Sequence, residues 1–145
     1  MKEYADPSMH SAEHILNQTM VRMFKCDRCF RAHIEKKKSK CDYHFDRPLK
    51  DEEIDDIESK VNQVIDSDLP VREEFLTREE AEAQYNIGRL PEETGDRIRI
   101  IKVGDYDACP CIGPHVRSTS EIGRFRIGSV SFEEGVLRIR FKLGE

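Results

Sequence analysis

Residues 49–76, LKDEEIDDIESKVNQVIDSDLPVREEFL, place one long helix directly before a strand. In the first part of this stretch, apolar residues recur with the 3.6-residue period and acidic residues fill the other positions, which predicts an amphipathic helix from Leu49 to Ser67. The acidic residues at 51–53 suit the positive end of the helix dipole. Pro70 ends the helix, and Val71 to Leu76 predicts a strand.

The chain before this stretch predicts a helix and a hairpin. Asp6-Pro7-Ser8 indicates a turn with Ser8 as the N-cap, and the helix that follows runs to about Phe24. A loop over residues 26–29 leads to two strands, Phe30 to Glu35 and Ser39 to Asp46. In the second strand, alternate residues face opposite sides of the sheet.

The chain after the stretch predicts further strands with one short helix. Thr77 and Glu80 form a capping box for a helix that ends near Tyr85, and residues 86–96 predict a loop. Three strands are expected: Arg97 to Val103, Arg124 to Phe132 and Val136 to Leu143. An irregular segment from Gly104 to Ser118 follows the first of them. Because helices and strands do not alternate regularly, the pattern favours an α+β sandwich over a doubly wound fold.

Length and composition limit the classes of protein. The 145 residues predict a single domain, and 37% hydrophobic residues suffice for a core. No apolar run approaches the roughly 18 residues of a membrane span, and the N-terminus has no apolar stretch typical of a signal peptide. We therefore expect a cytoplasmic protein that does not bind a membrane. Five cysteines, an odd number with uneven spacing, argue against a disulfide framework and for thiols or metal ligands.

The formal net charge of −5 hides a strong asymmetry along the chain. Residues 22–50 carry 10 basic and 4 acidic side chains, and residues 51–96 carry 4 basic and 16 acidic ones. The run Lys36-Lys37-Lys38-Ser39-Lys40 is the densest cationic segment, and Arg31 lies just upstream. At a hairpin tip these side chains would contact nucleic-acid phosphates, and the alternative is a solvated turn.

Two histidine-containing motifs offer metal ligands. His10 and His14 lie four residues apart on the first predicted helix, which places both imidazoles on one face. Cys111 and His115 have the same spacing in the irregular segment. Three nitrogens and one sulfur form a donor set that zinc prefers. The alternative is a surface histidine pair and an unrelated reactive loop cysteine.

Two other arrangements compete for the same residues. His10-Ser11-Ala12-Glu13-His14 is also H-x-x-E-H, a zinc peptidase pattern in which Glu13 acts as the general base and a carboxylate from another helix completes the site. The spacing Cys26-x2-Cys29-x11-Cys41-x2-His44 resembles a zinc finger. In that motif Cys41 and His44 would face opposite sides of a strand, which disfavours a shared metal.

Taken together, the motifs resemble the editing domain of alanyl-tRNA synthetases and its free-standing relative, AlaX. His10-Ser-Ala-Glu-His-Ile-Leu16 resembles the family's HTAEHLL-type helix. The acidic helix with Val61-Asn62 and then Pro70-Val71 is similar to the family's acidic helix, VN pair and PV strand. The segment CIGPHV from Cys111, followed by TSEIG, resembles its C-G-G-T-H-V and T-G-E-I-G signatures.

The resemblance implies a two-layer α+β sandwich of a mixed or antiparallel sheet with packed helices. It also implies an enzyme that hydrolyses the ester of a mischarged tRNA; on alanine tRNA, the ester to be hydrolysed is that of serine or glycine. The resemblance further implies a single zinc ion held by His10, His14, Cys111 and His115. Because the chain starts close to the first motif, it looks like the short AlaX type. The expected partner is tRNA, with no DNA.

The sequence departs from the family next to the metal loop. Cys-Ile-Gly-Pro-His stands where the family has Cys-Gly-Gly-Thr-His, which leaves the amino-acid selectivity open. Cys109 is an alternative ligand to Cys111, and Thr119 and Ser39 are the candidates for binding a substrate hydroxyl. The remaining alternatives are editing of a different tRNA and a zinc-stabilised tRNA-binding module without catalysis.

Overall fold

A computed structural model describes residues 6–85 and 97–144. Within these residues three helices and seven strands follow one another along the chain: α1 (Pro7–Phe24), β1 (Arg31–Ile34), β2 (Ser39–His44), α2 (Asp51–Asp66), β3 (Val71–Thr77), α3 (Arg78–Gln84), β4 (Arg97–Val103), β5 (Asp107–Pro110), β6 (Arg124–Glu133) and β7 (Val136–Gly144). A short 3₁₀ turn, Thr119–Glu121, precedes β6. The loop predicted for residues 86–96 lies outside the described residues.

The strands divide into two sheets, both antiparallel. One sheet has four strands in the order β1-β2-β7-β6, and the other has three in the order β3-β4-β5. The predicted α+β architecture with antiparallel pairing and packed helices is therefore confirmed. The segment 104–118 is less irregular than predicted, because β5 pairs with β4 and Cys109 lies opposite Ile101. The sequence Asp-Ala-Cys-Pro of β5 has no alternating pattern, so pairing with a strong neighbour forms this edge strand.

Helix α1 lies at the centre of the molecule. Ten of its residues are buried, including the polar Ser11, Glu13, His14 and Asn17. The N-cap is Asp6, whose carboxylate accepts hydrogen bonds from the amides of Ser8 and Met9, so the prediction of Ser8 as the N-cap is wrong. Asp6 precedes Pro7, which suits the first turn of a helix because its missing N–H would have no partner there.

The main core lies between α1, α2 and the inner face of the four-stranded sheet. Ile15, Leu16 and Met20 of α1 pack with Ile57 and Val61 of α2, and with alternate residues of β7: Leu137, Ile139 and Phe141. Alternation along β7 points these three side chains to the same side of the sheet. A smaller core beneath α3 joins Ala81 to Ile98 and Ile100 of β4. Among the described residues, no helix is sufficiently long and apolar to cross a membrane.

Candidate metal centre

Four potential metal ligands converge between α1 and the loop that follows β5. His10 and His14 come from α1, and Cys111 and His115 come from the loop; we call these four residues the ligand cluster. Their ligand atoms all lie within 4.8 Å of one another. The Sγ of Cys111 is 3.3 Å from Nε2 of His10 and 3.5 Å from Nε2 of His115. The structure thus brings together the residues that the two spacings predicted.

The loop is shaped by the strand beside it. The amide of Cys111 donates to the carbonyl of Arg99 on β4, and the Arg99 guanidinium donates to the carbonyls of Cys111 and Gly113. Gly113 packs directly against the imidazole of His10, where an added Cβ would lie 2.5 Å from Nδ1. Glycine at 113 is therefore required by close approach, and it lets the loop close over the helix.

In two of the three imidazoles, the Nδ1 atom, which points away from the ligand cluster, has a hydrogen-bond partner. The Nδ1 atom of His10 lies 3.2 Å from the carbonyl oxygen of Pro114, and Nδ1 of His115 lies 2.9 Å from the hydroxyl of Ser11. Ser11 also accepts a hydrogen bond from the amide of Val116. Because Nδ1 is engaged, Nε2 of each ring is directed to Cys111, which is the arrangement that outer partners give to metal-binding histidines.

The third imidazole faces a buried carboxylate. Nδ1 of His14 is 3.6 Å from Oδ2 of Asp107, which leaves Nε2 to the ligand cluster. Asp107 is held in turn by Arg28, at 2.7 Å, and by the amide of Gln18, at 2.9 Å. In the part of the chain that the structure describes, His14 Nδ1 is the one buried side-chain nitrogen or oxygen without a hydrogen bond. The carboxylate therefore fixes the ring at ion-pair distance.

The electrostatics of the ligand cluster favour a thiolate. Burial raises the pKa of the Cys111 thiol, but hydrogen bonds from His10, His115 and His14 outweigh it and lower the pKa to about 3. Burial lowers the pKa of His115 to about 4. For His14, burial acts downward, yet Asp107 and Cys111 raise its pKa well above the usual value. The pKa of Asp107 falls to about 2: burial acts upward, and His14 and Arg28 outweigh it.

These residues fit zinc. Three imidazoles and one thiolate are a donor set found in tetrahedral zinc sites. The imidazoles that face Pro114, Ser11 and Asp107 with one nitrogen have the other free for a metal. Cys109, the alternative ligand, lies outside the ligand cluster: its thiol donates to the carbonyl of Pro110, and burial raises its pKa.

A second group of donor side chains lies deeper in the molecule. Glu13, Cys29 and Cys41, which we call the core cluster, are all buried and also lie within 4.8 Å of one another. Oε2 of Glu13 accepts from the Cys29 thiol and the Asn17 amide, while Oε1 lies 3.7 Å from Nε2 of His10. Glu13 thus borders both the core cluster and the ligand cluster.

The structure disagrees with the zinc-finger spacing at residues 26–44. Cys41 is fully buried, but His44 is exposed and stacks on Phe30 on the other side of the strand. The thiol of Cys26 donates to the carbonyl of Met20. The four residues do not converge, as the strand alternation predicted.

Both predicted substrate-binding hydroxyls are engaged within the fold. Thr119 is fully buried, donates to the end of α2 at Val64 and Ile65, and accepts from the amide of Leu69. Ser39 is buried and exchanges hydrogen bonds with the backbone of Glu35 across the hairpin. Both hydroxyls are thus already hydrogen-bonded within the fold, and their role in binding a substrate hydroxyl stays a prediction.

The cationic run lies where the sequence placed it. Lys36, Lys37 and Lys38 are exposed in the turn between β1 and β2, and Lys40 follows in β2. Arg31 is exposed at the start of β1, and its guanidinium pairs with Asp42 at 2.7 Å. The run is therefore accessible to a polyanion.

The outer partners of the ligand cluster escaped the sequence analysis. Asp107 lies in a segment without a motif, and the residues that hold it, Gln18 and Arg28, are 89 and 79 positions away. Ser11 lies between the two histidines of the first motif. This position is the one feature of the sequence that could have indicated an outer partner of the ligand cluster. Hydrogen bonds across such separations leave no pattern in a single sequence.

The fold and the ligand cluster together define an α+β domain with a zinc-compatible His₃Cys centre. Residues 98–140 match the model of the threonyl and alanyl tRNA synthetase second additional domain. Over 144 residues the chain is 33% identical to an alanine–tRNA ligase of Methanopyrus kandleri and 37% identical to that of Archaeoglobus fulgidus. Each alignment covers 94% of this chain and 15% of the relative.

A third relative, the alanine–tRNA ligase of Aeropyrum pernix, is 34% identical over 151 residues, which cover 99% of this chain and 16% of the relative. The chain thus spans about one sixth of the length of the relatives that it matches. These matches confirm the resemblance drawn from the motifs: the chain is similar to one part of the alanine–tRNA ligases and contains a segment that matches the second additional domain of threonyl and alanyl tRNA synthetases.

Proposed function

We propose that the chain is a zinc-dependent deacylase that hydrolyses the ester of mischarged alanine tRNA, with the serine ester as the first substrate and the glycine ester as the second. The observation that carries this proposal is the ligand cluster, in a chain whose relatives are alanine–tRNA ligases. We place a single zinc ion on His10, His14, Cys111 and His115. When bound, zinc supplies a positive charge that orients or polarises the aminoacyl group.

The residues of the chain would divide the remaining work. The loop 111–115 is half open: Ile112 is 40% exposed next to the ligand cluster, whereas Gly113 is buried. We propose that the aminoacyl end is held at this loop, which also contains the Ile-Gly-Pro departure from the family. Holding the ester and a water molecule in line supplies much of the rate, because ester hydrolysis is an easy reaction.

Glu13 is the proposed proton acceptor. Its carboxylate lies 3.7 Å from His10 and is 11% exposed, so it borders the ligand cluster. A carboxylate in this position can accept the proton of an attacking water. The matched variant is Glu13→Gln, which keeps the shape and removes the basicity. We expect a fall in kcat with unchanged zinc content.

The cationic turn supplies the proposed tRNA contact. Lys36, Lys37, Lys38 and Lys40 carry their charges at the tip and base of the β1–β2 hairpin, and Arg31 lies at its far end. We propose that they bind phosphates of the substrate tRNA. Replacing the three turn lysines by alanine is expected to raise KM and leave kcat unchanged.

The deciding experiment follows release of labelled amino acid from three esters: Ser-tRNA(Ala), Gly-tRNA(Ala) and correctly charged Ala-tRNA(Ala). Zinc-loaded wild type is compared with Cys111→Ala, and Cys109→Ala is the matched control two residues away. We expect release of serine, sparing of alanine, loss of activity in Cys111→Ala and retention in Cys109→Ala. Hydrolysis of Ser-tRNA(Thr) instead would reassign the tRNA.

A binding module is the second candidate, and a specific observation favours it. Four protein ligands fill a tetrahedral zinc site, and closed sites of this kind are structural. If zinc-loaded wild type binds tRNA and releases no amino acid from any ester, the deacylase proposal is wrong and the binding module replaces it.

A further inference from the structure

Within residues 6–85 and 97–144, no helix packs on the outer face of the four-stranded sheet. Both α1 and α2 pack against the inner face, where Leu137, Ile139 and Phe141 are buried. Because strand residues alternate, the neighbouring residues point outward. Strand pairing aligns the outward residues in rows. Three neighbouring rows, which we call the sheet face, are Arg31–Asp42–Arg138–Ser131, His33–Lys40–Arg140–Ser129 and Lys142–Arg126, and the row beside them is His44–Val136–Glu133.

The sheet face is strongly positive, although the chain carries a net charge of −5. Among its residues Asp42 is the one carboxylate, and it binds Arg31 and Arg138 at 2.7 Å. The remaining four cations have no carboxylate within 4.0 Å in residues 6–85 and 97–144: Lys40, Arg126, Arg140 and Lys142. These charges are available to an anionic partner.

The geometry of the sheet face suits a phosphate backbone. Neighbouring strands are about 4.8 Å apart and alternate residues of one strand about 7 Å apart, so Lys40, Arg140 and Lys142 form a closely spaced array. Asp42 is nearly fully buried and fixes the two arginines beside it. Ser129 and Ser131 are short and leave room for a backbone to approach.

We propose that the sheet face binds the phosphate backbone of tRNA, at a surface separate from the ligand cluster. The face lies on the side of the sheet opposite α1, which carries His10 and His14. A contact there would reach a part of the tRNA remote from its aminoacylated end. Because the cations of the sheet face would contact phosphates rather than base edges, such a contact is independent of sequence. The proposal rests on tRNA being the substrate and deepens the proposed function.

A second copy of the chain is the competing partner, because α2 exposes many acidic residues. The sheet face argues against it: the three rows contain no apolar side chain, whereas stable protein interfaces bury an apolar centre. RNA binding needs no such centre. The oligomeric state is therefore measured together with tRNA binding.

The experiment measures the binding of uncharged alanine tRNA to zinc-loaded protein as a function of salt concentration. The test variant is Arg140→Ala/Lys142→Ala, and the matched control is Lys60→Ala/Arg72→Ala, which removes two exposed charges from α2 and β3. All four positions are exposed, so both variants are expected to fold. The logarithm of the affinity falls as the logarithm of the salt concentration rises. We expect the magnitude of this slope to decrease by about two in the test variant and to stay unchanged in the control.

Two results would overturn the proposal. One is equal slopes for wild type and the test variant. The other is that the wild-type protein sediments as a dimer and does not bind tRNA, while the test variant sediments as a monomer. That result would assign the sheet face to a second copy of the chain.

Deacylation gives an independent readout. On full-length Ser-tRNA(Ala), the test variant should raise KM, and on a short acceptor-stem hairpin with the same ester its KM should match wild type. If no ester is hydrolysed at all, the proposed function fails, and the binding experiment still decides on the sheet face.

Discussion

The ligand cluster and the core cluster contain similar chemistry and lie side by side on α1. Each gathers donor atoms within 4.8 Å, and Glu13 of the core cluster is 3.7 Å from His10 of the ligand cluster. They differ in where their hydrogen bonds lead. The histidines of the ligand cluster are held from outside, by Pro114, Ser11 and Asp107, whereas the core cluster is satisfied from within.

The core cluster belongs to a buried polar network. Glu13 binds Asn17 and Cys29, while Asn17 accepts from the amide of Cys29 and the hydroxyl of Tyr43. Burial raises the pKa of the Tyr43 hydroxyl, and the Cys29 hydrogen bond and burial raise that of the Cys41 thiol, so both stay protonated. The comparison teaches that proximity of donors does not define a metal site: donors must be free on one side and supported on the other.

The largest effect is expected from breaking the ligand cluster at its centre. Cys111→Ala removes the thiolate that all three imidazoles face, and zinc bound to the purified protein should fall from one per chain to near zero. Cys41→Ala is the matched change in the core cluster and should keep one zinc per chain. Metal analysis after dialysis checks both. Loss of zinc in Cys41→Ala but not in Cys111→Ala would mean that the core cluster, and not the ligand cluster, binds zinc.

The next effect concerns the support of His14. Asp107→Asn replaces the carboxylate by a neutral amide of the same size, and loss of such an outer partner weakens zinc binding by about 10–100-fold. Competition with a chromophoric chelator measures the affinity. Asp66→Asn is the control, since it removes an exposed carboxylate that pairs with Arg124. An unchanged zinc affinity in Asp107→Asn would show that the 3.6 Å contact does not matter.

Zinc affinity should also depend on pH, with a sign set by the pKa values of the metal-free site. The pKa of Cys111 is about 3 and that of His115 about 4, so neither holds a proton near neutral pH. The pKa of His14 is raised by Asp107 and Cys111, so this ring is protonated and must lose its proton on binding. Affinity should therefore rise about tenfold per pH unit until the pKa of His14 is passed.

Calorimetry in buffers of different ionisation enthalpy measures the released proton directly. One proton per zinc near neutral pH is the expected value. His14→Gln, which removes the titrating ring, should reduce the release to near zero. A release of two protons would mean that a second ligand besides His14 is protonated in the metal-free protein.

A smaller effect is expected at Gly113. An added Cβ would overlap the imidazole of His10, so Gly113→Ala should displace the ring and weaken zinc binding about fivefold, less than the loss of an outer partner. Gly128→Ala is the control, because the space there is open to within 3.9 Å. Chelator competition measures the zinc affinity of both variants. Equal affinities would show that the close approach of Gly113 to His10 does not affect zinc binding.

The smallest effect is expected in the core cluster network. Tyr43→Phe deletes one buried hydrogen bond to Asn17 and should lower the free energy of unfolding by about 1 kcal/mol. Zinc affinity should stay the same. Urea unfolding and chelator competition measure the two quantities, and a change in zinc affinity without a change in stability would contradict the separation of the two clusters.

Local spacing made much of the structure predictable. The helix before β3, the capping box at Thr77 and the inward set of β7 follow from periodicity within a few residues. Spacing also selected the four ligand-cluster residues, because two pairs, each with an offset of four positions, fix one face of a helix and one turn of a loop. The α+β architecture followed from the order of these elements.

Long-range contacts were beyond the sequence. Strand β5 forms by pairing with β4, and Asp107 meets His14 across 93 positions, so neither leaves a local pattern. The hydroxyls of Ser39 and Thr119 were chosen for their chemistry, yet both are used by the backbone around them. Asp42 lies on the outer side of the sheet, where two arginines pair with it and bury it.

The most direct test of the central claim is the zinc X-ray absorption spectrum of the purified wild-type protein. Binding at the ligand cluster predicts one sulfur at about 2.3 Å and three nitrogen neighbours at about 2.0–2.1 Å, with the multiple-scattering signature of imidazole. Two sulfurs and one oxygen would place the metal on Cys29, Cys41 and Glu13. A shell of oxygens alone would mean that neither cluster holds zinc.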